Sequence, residues 1–167
     1  LEKPVKWVSD RMEDLMSTGN AFDEIVDAEI AIAADGAILA VKADVIGDVG
    51  AYSIYPWTAT IEPVQVVSFL PGPYRIDNYA ARVRAVATNK TLTGAYRGVG
   101  RPISVFVMDR LLDMAARKIG MDPADIRRRN LVNDDEFPYK AASGLVWDKS
   151  AFQACLAAAR DGIGYDA

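Results

Sequence analysis

The sequence contains no histidine. Without it the chain lacks the side chain most used as a base, proton shuttle or metal ligand near neutral pH, so a Ser-His-Asp triad and a His-ligated zinc are excluded within it. A single cysteine, Cys155, excludes an internal disulfide and any multi-cysteine metal or iron–sulfur site. On the apolar stripe Phe152, Cys155, Leu156 it reads as a buried, inert thiol. No apolar run approaches the roughly 20 residues that cross a bilayer, so no membrane span is expected. A cationic excess is missing too: 19 Lys and Arg against 23 Asp and Glu give a net charge of −4. A nucleic-acid partner requires a basic face to neutralise phosphates and is not expected. The amino end, Leu1 to Trp7, has no signal-peptide layout and no initiating Met. The expectation is a piece of a longer, cytoplasmic protein.

What is present is globular. The 167 residues are 51% hydrophobic and 25% charged, with 12 Gly and 8 Pro, close to the average for packed domains. No repeat and no linker divides the chain, so a single domain over residues 1–167 is expected. From Glu29 to Val45 the apolar residues alternate around Asp35-Gly36, the signature of a β-hairpin with a turn at positive φ. A short helix is expected over Thr60 to Phe69, then an irregular stretch at Leu70-Pro71-Gly72-Pro73-Tyr74. Tyr79, Ala81, Val83, Ala85 and Ala87 predict a strand with one buried face, with Arg82 and Arg84 on the other. From Ile103 the period becomes 3.6, with Ile103, Phe106, Val107, Leu111, Met114 and Ala115 as the buried stripe. Pro102 and Gly120 bracket this helix. Asp122-Pro123 opens another helix, and Asp148 or Ser150 a last one through Ala159. The fold class is therefore α+β: an antiparallel sheet from the N-terminal half, with helices from the C-terminal half packed on it.

The stretch Thr93-Gly94-Ala95-Tyr96-Arg97-Gly98-Val99-Gly100-Arg101-Pro102 holds the most chemistry. Three glycines allow sharp bends and close approach of the backbone to a ligand, and the loop opens a helix, whose amino end attracts anions. Arg97 and Arg101 are candidate fork donors for such an anion. The same spacing also suits a plain tight connection. The glycine spacing is not a dinucleotide fingerprint, because Ile103 stands where the third glycine belongs, and no Gly-Lys-Ser/Thr follows for a P-loop. Arg127-Arg128-Arg129 reads as a solvated or inter-helix face. Glu13-Asp14 and Asp134-Asp135-Glu136 read as solvated surface, and no metal site is expected.

Several ordered motifs resemble one family. Tyr74-Arg75-Ile76-Asp77-Asn78, Thr88-Asn89, Gly94 to Pro102, Asp122-Pro123 and Arg127-Arg128-Arg129-Asn130-Leu131 resemble the molybdopterin-binding large subunit of the molybdenum hydroxylases. That family includes xanthine oxidase, aldehyde oxidase and carbon monoxide dehydrogenase. The Gly-Gly-Gly-Phe-Gly type motif that precedes this region in the family, and the later Gly-x-Gly-Glu type segment with the catalytic glutamate, are absent. The resemblance thus implies an internal piece that supplies one active-site loop, holds no catalytic residue and is inactive alone. It implies molybdopterin as cofactor of the complete enzyme, and as partners the remainder of the large subunit with iron–sulfur and flavin subunits or domains. Arg97 matches the arginine beside the molybdenum centre, and Gly98, Val99 and Gly100 match the loop wall facing it. Val99 stands where purine oxidisers carry a Phe, and Val64-Gln65 where they carry a Glu-Arg pair, which makes Gln65 and Val99 substrate-pocket residues. Gly98 stands where carbon monoxide oxidisers place a copper-binding cysteine. These departures point away from purine and carbon monoxide oxidation, toward an aldehyde, heterocycle or similar carbon centre. Two other readings stay open: a non-catalytic interaction or scaffold domain sharing the fold, and a small nucleotide- or phosphate-binding protein.

Overall fold

The period-two stretch forms a hairpin longer than its alternation alone suggests. In the computed structural model, which describes residues 2–56 and 58–165, β1 (Asp23–Ile32) pairs antiparallel with β2 (Ile38–Gly50). The ends of the expected domain, Leu1 and Ala167, lie outside the described residues. Asp35 and Gly36 make the turn, Gly36 at φ 84°, where a residue without Cβ bears no steric cost. Leu39 is the extra residue of a bulge, since Ile32 pairs with Ile38 and Ala31 with Ala40. The bulge leaves Leu39 half exposed and aligns Val41, Ala43 and Val45 as the buried face.

The chain then crosses over through α2 (Ile61–Phe69) to β3 (Tyr79–Ala87), giving the sheet order β1-β2-β3. β3 pairs with β2 in parallel, Val45 opposite Val83. The α+β class holds, but the sheet is mixed rather than antiparallel throughout. The reason is the connection: residues 51–78 include a helix, the crossover that parallel neighbours need, whereas a tight turn makes antiparallel ones. β3 is also an edge strand, so most of its expected buried face is exposed, and only Tyr79 and Val83 are half-buried. Tyr79 fixes it to α2 by donating from its hydroxyl to the Val67 carbonyl at 2.6 Å.

The helices of the C-terminal half are α3 (Arg101–Ile119), α4 (Pro123–Asn130) and α5 (Phe152–Ile163), and a short α1 (Arg11–Ser17) lies at the amino end. α3 ends on Gly120 at φ 70°, and Asp122 caps α4 by accepting from the Ala124 and Asp125 amides, as the start and stop residues predict. α3 packs on the sheet, but its buried residues are Ser104, Met108, Leu112, Ala115 and Ala116. Phe106 is 71% exposed, and Leu111 is half-buried. The buried face is thus turned by about 100°, one residue, from the expected stripe. α2 sets this phase: Ser104 is small enough for the close approach and donates to the carbonyls of Val66 and Gly100 at 3.0 and 2.8 Å. α5 starts after Ala151 without a side-chain cap and has no buried residue. Cys155 is accordingly exposed, not enclosed.

The core joins Val41 and Ala43 of β2 to Leu70, Tyr74, Ile76, Met108, Leu112, Ile126 and Leu131. Arg127 ties α4 to α3 through Asp109 and Asp113, at 3.2 and 2.9 Å, so the arginine run is partly an inter-helix face. The acidic pairs act as local caps: Glu13 reciprocates with Asp10, and Glu136 accepts from the Asn133 amide. No described helix is long and apolar enough to cross a membrane.

Candidate functional site

The loop from Thr93 to Gly100 is fixed at both ends and free in the middle. At its start Thr93 hydrogen-bonds to the end of β2 through its amide to the Val49 carbonyl and its hydroxyl to the Asp48 carbonyl. Gly94 donates to the Asn20 carbonyl at 2.9 Å. At its end Gly100 is buried against α2: a Cβ there would lie 2.6 Å from the Val66 nitrogen and clash with the Glu62 carbonyl. The third glycine therefore serves close packing, and any side chain would push the loop off the helix.

Between these anchors the backbone makes two tight turns. Val99 donates to the Tyr96 carbonyl at 2.7 Å, and Arg101 donates to the Gly98 carbonyl at 3.1 Å. Gly98 sits at φ 95° and Val99 at φ 51°. A β-branched residue in the left-handed region is strained, by roughly 1–3 kcal/mol. Such strain concentrates where a site requires a fixed shape.

The two arginines part company. Arg97 is exposed and, among the described residues, makes no hydrogen bond or ion pair; the amides of Arg97 and Gly98 are likewise unused there. Arg101 turns the other way, donating to Gln65 Oε1 at 3.1 Å and lying 4.0 Å over the Phe69 ring. The pair of fork donors expected at Arg97 and Arg101 is therefore not assembled, because α2 already holds Arg101. Gln65 and the loop are brought together, with the Gln65 amide oxygen engaged by Arg101. Val64 is half-exposed beside it.

Two further carboxyls belong to this site and escape sequence reasoning. Glu62, 2% exposed, accepts the Tyr96 amide at 3.3 Å. Burial pushes its pKa upward, with the Tyr96 hydrogen bond opposing. Glu24 on β1 has both carboxylate oxygens enclosed without a partner. Burial, then the nearby Glu62 charge, raise its pKa to about 7. The only sequence signal was a lone acid among apolar residues at Ile61-Glu62-Pro63-Val64.

Comparison with known proteins agrees with the motif reading. A family model described as the molybdopterin cofactor-binding domain matches residues 1–131. The chain is 36% identical over 149 residues to the 6-hydroxypseudooxynicotine dehydrogenase complex subunit gamma of Paenarthrobacter nicotinovorans, covering 89% of this chain and 18% of that protein. It is 34% identical to the carbon monoxide dehydrogenase large chain of Hydrogenophaga pseudoflava, covering 100% of this chain and 21% of that one. The crystal structure of quinoline 2-oxidoreductase from Pseudomonas putida 86 superposes with a TM-score of 0.92 at 31% identity, covering 96% of this chain and 20% of that one. The chain thus spans about a fifth of the length of these relatives.

Proposed function

The chain belongs to the molybdopterin cofactor-binding domain family of molybdenum hydroxylase large subunits, and on that premise we propose that residues 1–167 act as one domain of such a subunit, supplying a wall of its active site through the loop Tyr96–Gly100. The observation that carries this reading is Arg97. An exposed guanidinium without a partner among the described residues, beside two amides unused there, suits an anionic, phosphate-bearing group such as molybdopterin.

In this reading Arg97 and the Gly98 amide hold the cofactor, and Gly98 admits it closely because no Cβ intervenes. Gly100 anchors the same loop to α2. Val99 and Gln65 face the substrate, Val99 by shape and Gln65 by its amide. When bound, the molybdenum cofactor supplies transfer of water-derived oxygen to a carbon centre with uptake of an electron pair. The chain's part is to bind and orient: fixed positive charge and preorganised N–H donors stabilise developing negative charge without reorganising. On the family resemblance, the catalytic residue lies elsewhere in the complete enzyme and this piece is inactive alone. Electrons leave through iron–sulfur and flavin subunits or domains, and the assembly is cytoplasmic. The substrate is an aldehyde, an N-heterocycle or a similar carbon centre. The names of the nicotine- and quinoline-directed relatives support the heterocycle.

The test is metal and pterin analysis of the intact protein, produced in a host that makes the cofactor. The expected result is about one molybdenum and one pterin per chain, with heterocycle or aldehyde oxidation. A folded protein free of both would favour the scaffold reading instead.

A further inference from the structure

Glu62 touches both ends of the active-site loop. Its carboxylate accepts the Tyr96 amide at 3.3 Å, and its backbone carbonyl occupies the space that a side chain on Gly100 would need. The residue is 2% exposed, so this contact runs through a water-poor interior where a charged acceptor binds more strongly than at the surface. Between the two ends, Gly98 and Val99 hold φ of 95° and 51°. That conformation persists only while its surroundings impose it. Glu24 is the register partner of Gly47, which packs on Pro63 beside Glu62, and neither oxygen of its enclosed carboxyl has a hydrogen-bond partner. Two carboxyls that feel each other's charge in such a setting do not both ionise freely.

We infer that Glu62 is a positioning residue for the Tyr96–Gly100 loop and that Glu24 is the neighbour that sets its charge. The inference rests on the proposed function only for what the loop is used for; the clamp itself is a property of this fold. The Tyr96 N–H favours the charged form of Glu62, whereas burial without a donor favours the protonated form of Glu24. β2 brings Gly47, the register partner of Glu24. α3 brings Ser104, whose hydroxyl is engaged by two carbonyls. Of the cations on neighbouring elements, Lys90 is held by Asp23 and Asp48 and Arg101 by Gln65 and Phe69, while Arg97, next to Tyr96, is exposed to solvent. Raising the pH therefore sets a second negative charge beside the first in an enclosed space, and the clamp on Tyr96 loosens.

Hydrogen exchange read by mass spectrometry on the intact protein tests this without any turnover. After correction for intrinsic rates, exchange of residues 95–100 is expected to quicken about tenfold in Glu62→Ala, the scale of losing a hydrogen bond to a charged acceptor. Residues 106–118 of α3 stay unchanged. Glu62→Gln keeps an acceptor oxygen in place and restores the protection. In the unaltered protein, protection of 95–100 falls severalfold as pH rises from about 6 to about 8, and Glu24→Gln abolishes that fall. Unchanged exchange at 95–100 in Glu62→Ala, or equal acceleration along α3, overturns the inference. A pH response that survives Glu24→Gln overturns the part given to Glu24. A protein without molybdenum that still shows these exchange effects would sink the proposed function and leave the clamp standing.

Discussion

The turn at residues 33–37 and the loop at residues 93–100 both bend through a glycine at positive φ, Gly36 at 84° and Gly98 at 95°. Around the first, the polar groups are used by the fold. Asn130 accepts from the Ile38 amide at 2.9 Å and donates to the carbonyls of Gly36 and Ile126 at 2.8 Å each. Asp35 is paired with Arg129 and caps the Ala37 amide. Around the second, Arg97 and two amides are left without a partner among the described residues, and a β-branched residue is held in a strained conformation. A turn that only joins two strands satisfies itself, whereas the loop proposed here to serve a ligand keeps donors in reserve, its shape on this proposal held by Glu62.

The contrast is broken most strongly at Asn130. Asn130→Ala orphans the buried Ile38 amide and the Gly36 carbonyl, so it is expected to cost about 3 kcal/mol of stability. Chemical denaturation reads the loss, and turnover per folded, molybdenum-loaded protein should be unchanged. Arg97→Ala is expected to do the reverse. Turnover per molybdenum falls about a hundredfold, the scale of losing one preorganised donor, while stability moves by less than about 1 kcal/mol. Steady-state kinetics beside a melting curve would show whether the two variants exchange their effects.

Val99→Gly sharpens the comparison on a smaller scale. Relief of the strained φ outweighs the added backbone entropy of glycine, so a gain of about 1 kcal/mol in stability is expected, with a loss of substrate discrimination. Thermal unfolding and the ratio of kcat/KM for two substrates measure the two halves of that exchange. A further effect is on pH dependence. Glu24 titrates at about 7 in the fold against 4.5 when free, so the folded state binds the extra proton between those values. Stability is then full below about pH 4.5 and declines as pH rises to about 7. Glu24→Gln should flatten the melting temperature across that window, and an unchanged slope would show that Glu24 is not the group responsible.

Much of this was legible in the sequence, and the rest failed for identifiable reasons. Alternation and Asp35-Gly36 were sufficient for the hairpin, and Pro102, Gly120 and Asp122 for the helix limits, because these signals are local. The direction of β3 was not legible from its residues, since Ala81, Val83 and Ala85 alternate identically whichever way the strand runs. The length of the connection at residues 51–78 carried that information. α3 has apolar residues on more than one side, so the pattern could not tell whether Phe106 or Met108 faces inward; contact with α2 decided it. Cys155 lies on a stripe that covers the core only partly. At the candidate site, the glycines and Arg97 stand out in the sequence as a pattern, whereas Glu62 does not, because the amide it holds is 34 residues away.

The most direct test of the central claim is an experimental structure of the intact, cofactor-loaded protein. The account predicts that the Arg97 guanidinium and the Gly98 amide lie within hydrogen-bonding distance, roughly 3 Å, of the molybdenum cofactor, with the Glu62–Tyr96 contact retained. Arg97 paired instead with a carboxylate from elsewhere in the protein, and the cofactor remote from the loop, would contradict it.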